Sequence, residues 1–143
     1  IAVSLGGYIA EKMVYGDLTT GASNDLQVLT ALARDMVTRF GMSDKFGPVA
    51  LESRGGKPLF GSAGMEGREH SEEVGGLIDG EVKKIIDGAY KTAEGVIVKH
   101  RKVLNAIAKE LVEKETIERP EFEAILIAHG IIPKKKQDIE HQA

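Results

Sequence analysis

The chain has 143 residues, of which 42% are hydrophobic and 29% charged, and this balance is typical of a globular domain with one real core. Its formal net charge of −3 provides none of the basic surface that a nucleic-acid-binding protein needs. The chain has no cysteine, which excludes disulfides and thiolate zinc sites, and no apolar run approaches the ~18 residues of a membrane span.

The chain begins in the middle of an apolar helical pattern. Four apolar residues recur at every fourth position, namely Ile1, Leu5, Ile9 and Met13. This spacing predicts a helix from the start to about Tyr15, ended by Gly16. Each glycine inside a helix costs about 1 kcal/mol relative to alanine, so Gly6 and Gly7 indicate close packing or a bend. Because the pattern is already under way at the first residue, we expect the chain to belong to something larger.

The second predicted helix extends from about Asn24 to Phe40, and its predicted apolar face consists of Leu26, Leu29, Ala33, Met36, Val37 and Phe40. Asn24 and Gln27 have the spacing of a capping box, and Gly41 occupies the position of a left-handed C-terminal cap. Asp25 in the first turn has two interpretations. An acidic residue there ordinarily complements the helix dipole, which is worth about 0.3–1 kcal/mol. It could instead hold a ligand, but spacing alone favours the dipole, because a lone carboxylate does not make a metal site.

Met42 to Glu69 reads as an exposed loop rich in glycine and proline, in which residues 48–53 and 57–62 could pair as one small β-hairpin. A long third helix follows from about Ser71 to Val98. It contains five glycines, so we expect packing to hold it and its first turns to fray.

Two shorter helices complete the pattern. One is predicted from about Lys102 to Lys114, with an apolar face that includes Val112. The other is predicted to have Pro120 at its first helical position and to end at Gly130. The tail, 133–143, is expected to be disordered. The predicted fold class is therefore mainly α, a helical bundle-like arrangement with a glycine- and proline-rich loop.

Motifs that carry chemistry are absent from the sequence itself. The four histidines are His70, His100, His129 and His141, and no two of them have the spacing of H-E-x-x-H. The sequence has no phosphate-binding G-x-x-x-x-G-K-[ST] loop and no G-x-S-x-G elbow. No residue of this chain is therefore predicted to be catalytic or nucleotide-binding.

The order of several segments changes the interpretation of Asp25. "LGGYIAEKMVYGD" is followed by "TTGASNDL" and "ARDMVTRFGMSDKFGPVAL", and further on come "IDGEVKKIIDGAYKTA" and "IAKELVEKETI". In this order they resemble the peptidase domain of the FtsH family, which consists of membrane-anchored, ATP-dependent zinc proteases. The resemblance covers residues 1–132 and is carried most specifically by "GASND" and "GMSDKFGP". It implies that this region is the C-terminal portion of an FtsH-type peptidase domain.

The resemblance implies a function and a metal site. In the family, a hexameric ring with an AAA ATPase module unfolds protein substrates and threads them to zinc sites. Two histidines and an aspartate hold the zinc, and the aspartate matches Asp25. Glu11 could be a partner of a zinc-binding histidine, although a packing role fits it equally well. The parent would be a membrane-anchored endopeptidase for unfolded or membrane proteins, with this domain in a reducing compartment such as the bacterial cytoplasm or its equivalent in an organelle.

The chain departs from the family pattern in ways that affect its own activity. The H-E-x-x-H helix, the ATPase module and the membrane anchors are expected before Ile1, and Lys12 stands where a second glutamate often follows Glu11. We therefore expect this chain alone to be inactive. The alternative is a non-catalytic helical assembly module, either a scaffold of the hexameric ring or part of a pseudo-protease. An intact or degenerate H-E-x-x-H in the parent separates the two.

Overall fold

The computed structural model describes residues 1–17, 19–52 and 71–133. Its helices are α1 (Leu5–Tyr15), α2 (Ser23–Thr38), α3 (Glu72–Lys99), α4 (Arg101–Lys114) and α5 (Arg119–Ala128), and a 3-10 turn, Thr20–Ala22, leads directly into α2. The predicted fold class, mainly helical, is confirmed. The chain divides into two compact units, Ile1–Gly95 and Val96–Ala143. The second strand of the predicted hairpin, 57–62, and all of the predicted tail except Pro133 lie outside the described residues.

The core of the first unit forms between α2 and α3. Ala33 and Val37 of α2 pack with Ile78 and Val82 of α3, and all four are buried. These residues recur at helical spacing on both helices, as the apolar pattern predicts. On α1, Leu5 and Ile9 are also buried. Phe40 was assigned to the apolar face of α2, but it is 54% exposed. That assignment was wrong because α2 ends at Thr38, so Phe40 does not continue the face.

The segment after α2 is fixed at both of its ends. Thr38 is fully buried, and its carbonyl accepts hydrogen bonds from the backbone N–H groups of Leu51 at 2.6 Å and Glu52 at 3.1 Å. Gly41 has a φ of +63°, as the predicted left-handed cap requires, and a Cβ there would lie 3.0 Å from Cα of Pro48. The chain therefore turns back on itself where only glycine fits.

A buried serine attaches this segment to α3. Ser43 is 4% exposed, and its hydroxyl donates to Oε2 of Glu81 at 2.7 Å. Oγ of Ser43 also accepts from the backbone N–H groups of Lys45 and Phe46, each at 3.2 Å. Lys84 donates to Asp44 at 3.1 Å, and this hydrogen bond together with the nearby carboxylates raises the pKa of Lys84. Backbone and side-chain contacts thus join the loop after α2 to the middle of α3.

The glycines of α3 do not break it. The helix is continuous from Glu72 to Lys99, and Ser71 caps it by accepting from the N–H of Val74 at 3.3 Å. Among the described residues, a Cβ added at any of its glycines would meet nothing within 4 Å; the same holds at Gly6 and Gly7 of α1. Packing against the described residues therefore does not explain the glycines of α1, and α1 continues through them as one helix. Fraying of the first turns of α3 stays a prediction.

The second unit contains α4 and α5. Val103 is its buried residue on α4, whereas Val112 is 84% exposed, so the prediction that Val112 is buried was wrong. Glu115 ends α4 with a φ of +62°, which is unusual for a residue other than glycine. Nζ of Lys114 lies 2.6 Å from Oε1 of Glu110 and 2.9 Å from Oε1 of Glu121. The hydrogen bond from Lys114 lowers the pKa of Glu121 and ties the end of α4 to the first turn of α5.

Candidate functional site

The candidate site lies where α1 and the start of α2 meet. Glu11 is on α1, one turn before its end, and Thr19 follows in the connection to α2. The Thr19 hydroxyl donates to Oε1 of Glu11 at 2.5 Å and accepts from the backbone N–H of Gly21 at 3.1 Å. One hydroxyl therefore connects a carboxylate of α1 to the backbone that introduces α2.

The start of α2 differs from the sequence prediction, because a 3-10 turn leads directly into the helix. The sequence predicted a capping box formed by Asn24 and Gln27, but α2 begins at Ser23 and its N-cap is Ala22, which has no side-chain cap. The capping-box prediction was wrong because the 3-10 turn arrives first and passes without a break into α2. The N–H of Ser23 donates to the carbonyl of Thr20 within that turn. Thr19 is the residue whose side chain caps this combined element.

Asp25 is the third residue of α2 and is exposed. Its position in the first turn suits the positive end of the helix dipole. Within the described residues, its carboxylate forms no hydrogen bond and no ion pair, and so it is not used to hold the fold together there. A carboxylate in this state is open to a ligand on the solvent side of the helix.

The side of α1 that carries Lys12 faces α3 of the same unit. The rings of Tyr8 and Tyr90 meet edge to face with their centroids 6.5 Å apart. Nζ of Lys12 lies 5.8 Å from the centroid of Tyr90, which is within the range of a cation–π contact. Lys12, which departs from the family pattern at this position, therefore has a packing role here.

The donor set of the described residues is incomplete for zinc. Protein zinc sites use three or four histidine, cysteine or carboxylate ligands. In the parts of the chain that the structure describes, no three such side chains lie close enough to hold a metal ion. Asp25 fits zinc as one ligand, because it is an exposed carboxylate with no competing partner among these residues. The other ligands would have to come from elsewhere, and His70 and His141 lie outside the described residues.

Comparison with known proteins defines the class. The model of peptidase family M41 matches residues 1–125, and the chain therefore belongs to peptidase family M41. It is 48% identical over 128 residues to "ATP-dependent zinc metalloprotease FtsH 3" of Synechocystis sp., a match that covers 88% of this chain and 21% of that protein. The predicted resemblance to the FtsH family is confirmed.

Two further relatives carry similar names. The chain is 45% identical over 128 residues to "ATP-dependent zinc metalloprotease FtsH" of Synechococcus sp., covering 88% of this chain and 20% of that protein. It is 40% identical over 129 residues to "ATP-dependent zinc metalloprotease FTSH 1, chloroplastic" of Arabidopsis thaliana, covering 89% and 18% respectively. The chain thus spans about a fifth of the length of these relatives. No helix among the described residues is both long and apolar enough to cross a membrane.

Glu11 and Asp25 were both singled out from the sequence, and the structure relates them through Thr19 and the 3-10 turn. Sequence reasoning missed Thr19. The only signal available was its place before "GASND", because a threonine before a turn is common and its distant partner Glu11 cannot be inferred from spacing.

Proposed function

We propose that this chain is the C-terminal part of the peptidase domain of an ATP-dependent zinc endopeptidase, and that Asp25 is one of the three protein ligands of its zinc. Membership of peptidase family M41 and the names of the relatives support the class of activity. The observation that carries the role of Asp25 is its exposed carboxylate, which has no partner among the described residues and lies in the segment "GASND".

The contribution of this chain to the chemistry is to bind and orient the metal. When bound, zinc polarises the scissile carbonyl and lowers the pKa of its bound water. The Asp25 carboxylate offsets part of the metal charge. The two histidine ligands and the glutamate general base come from an H-E-x-x-H helix that this chain does not contain. The isolated chain should therefore hydrolyse neither protein nor ATP.

The whole protein is proposed to be a membrane-anchored homo-hexamer. Its AAA ATPase module would deliver unfolded or membrane proteins to the peptidase ring, and the peptidase domain would lie in a reducing compartment, which the absence of cysteine suits. Those parts lie outside this chain. The second candidate function is a non-catalytic ring scaffold. Both candidates predict that the described residues hold no three-ligand cluster, so an intact or degenerate H-E-x-x-H in the parent separates them.

Asp25→Asn in the longer protein tests the proposal. Asparagine suits a helix start about as well as aspartate but is not an anionic ligand. We expect bound zinc, measured by elemental analysis, to fall sharply and casein degradation to be lost, while ATPase activity remains. Asp17→Asn is the matched control, because it removes the same charge from a nearby exposed position. If Asp25→Asn retains both zinc and proteolysis, the assigned role is wrong; if the unaltered protein binds no zinc, the scaffold interpretation replaces it.

A further inference from the structure

We propose that Thr19 is a positioning residue for the metal site: its hydroxyl joins α1 to the start of α2 and so holds the Asp25 carboxylate where it binds zinc. This inference rests on the proposed function, since it takes Asp25 as a ligand. Thr19 itself touches neither metal nor substrate in this scheme.

The Thr19 hydroxyl both donates and accepts a hydrogen bond, and so it joins two elements. It donates to Glu11 at 2.5 Å and accepts from the N–H of Gly21 at 3.1 Å. A hydrogen bond to an ionised carboxylate is shorter and stronger than one between neutral groups. A Cβ added at Gly21 would lie 3.3 Å from the Thr19 oxygen, so the turn lies close to the exposed hydroxyl on that side.

The helix α2 has no other side-chain cap at its start. Ala22 is the N-cap residue and supplies no side-chain acceptor. The 3-10 turn and α2 form one continuous element. The hydrogen bonds of Thr19 therefore fix the direction of the backbone that carries Asp25. Ala22 is buried within this element, which limits independent movement of the turn.

Asp25 is an exposed residue in the first turn of α2. Within the described residues, no hydrogen bond or ion pair fixes its carboxylate, so its place is set by the backbone of the first turn of α2. A metal ligand must be held within a few tenths of an ångström to bind well, and groups that orient a ligand typically change metal affinity about 10–100-fold when removed. Thr19 meets this description through the backbone rather than through direct contact with the ligand.

The experiment uses the longer protein with the threonine changed in two ways. Thr19→Val keeps the shape and removes the hydroxyl, whereas Thr19→Ser keeps the hydroxyl. Thr20→Val is the matched control, because Thr20 is the adjacent exposed threonine and its side chain forms no hydrogen bond within the described residues. Zn²⁺ affinity is measured by competition with a chromophoric chelator, and the visible spectrum of the Co²⁺-substituted protein reports the geometry around the metal.

We expect Thr19→Val to weaken Zn²⁺ binding by about tenfold and to alter the Co²⁺ spectrum. Thr19→Ser and Thr20→Val should both keep the affinity and the spectrum. Glu11→Leu should weaken binding as well, and adding Thr19→Val to it should have little further effect, because both changes break one connection.

Two results would overturn the inference while leaving the proposed function intact, provided that Asp25→Asn loses zinc. One is wild-type zinc affinity and an unchanged Co²⁺ spectrum in Thr19→Val. The other is a full additional tenfold loss when Thr19→Val is added to Glu11→Leu, which would mean that the hydroxyl acts independently of Glu11. If Asp25→Asn keeps its zinc, the proposed function fails first and the positioning role fails with it.

Discussion

Ser43 holds the loop after α2 against α3, and Ser43→Ala should release that loop. The substitution removes a 2.7 Å hydrogen bond to Glu81, whose side chain is only 13% exposed, and two weaker acceptor contacts to backbone N–H groups. A hydrogen bond to a charged group contributes about 1.5–3 kcal/mol, and solvent can reach the freed N–H of the exposed Lys45. We therefore expect a loss of about 2 kcal/mol in the free energy of unfolding.

The measurement is urea unfolding followed by far-UV circular dichroism. With a denaturant slope of about 2 kcal/mol per molar, the loss moves the midpoint down by about 1 M. Thr30→Ala is the control, because the Thr30 hydroxyl bonds, among the described residues, only to the Leu26 carbonyl of its own helix, and its removal should be neutral or slightly stabilising. In a double-mutant cycle with Glu81→Ala, which removes the acceptor, a coupling near zero between positions 43 and 81 would refute the reasoning, because the hydrogen bond would then contribute nothing.

Two further predictions concern the second unit. Glu115→Gly should stabilise it by about 0.5–1 kcal/mol, because relief of the left-handed backbone, about 1–2 kcal/mol, exceeds the extra entropy of an unfolded glycine. Thermal unfolding checks this against Glu115→Ala, which keeps the unfavourable φ and should gain nothing; equal gains in both would contradict the explanation. The hydrogen bond from Lys114 lowers the pKa of Glu121 below its ordinary 4.5, so the link from α4 to α5 should be intact above pH 4.5 and lost as the pH falls through the lowered value. NMR titration of Glu121 should show this low pKa, and Lys114→Met should raise it towards the ordinary value but not fully, because the backbone N–H of Glu118 still donates to the Glu121 carboxylate at 3.1 Å.

The helices were predictable because their apolar residues recur on faces that the fold buries. Leu29, Ala33 and Val37 define one side of α2, and Ile78 and Val82 the facing side of α3. Local differences in propensity or capping do not remove these helices, because burial of their apolar faces contributes most of the helix stability. Helix ends were predicted less well, because they depend on a few hydrogen bonds rather than on a repeated pattern.

The start of α2 illustrates that difference. Asn24 and Gln27 have capping-box spacing, but the 3-10 turn before Ser23 satisfies the backbone in another way. The hydroxyl of Thr19 reaches Glu11 across eight positions, and no sequence periodicity reports a contact between two polar side chains on different elements.

The metal role proposed for Asp25 could not come from the residue alone. An acidic residue in a first turn has an ordinary explanation in the helix dipole. The proposal comes from the segments around Asp25, which follow one another in the same order as in the FtsH family.

Among the described residues, the glycines of α3 have free space beside them, so very small substitutions there could raise the stability of this protein. Five positions, Gly75, Gly76, Gly80, Gly88 and Gly95, could each accept a methyl group without meeting another described atom within 4 Å. Alanine is better than glycine in a helix by about 1 kcal/mol, so each replacement adds helix stability without repacking the core. A version of the chain that withstands heating better is therefore reachable through single-methyl steps, taken one at a time along one helix.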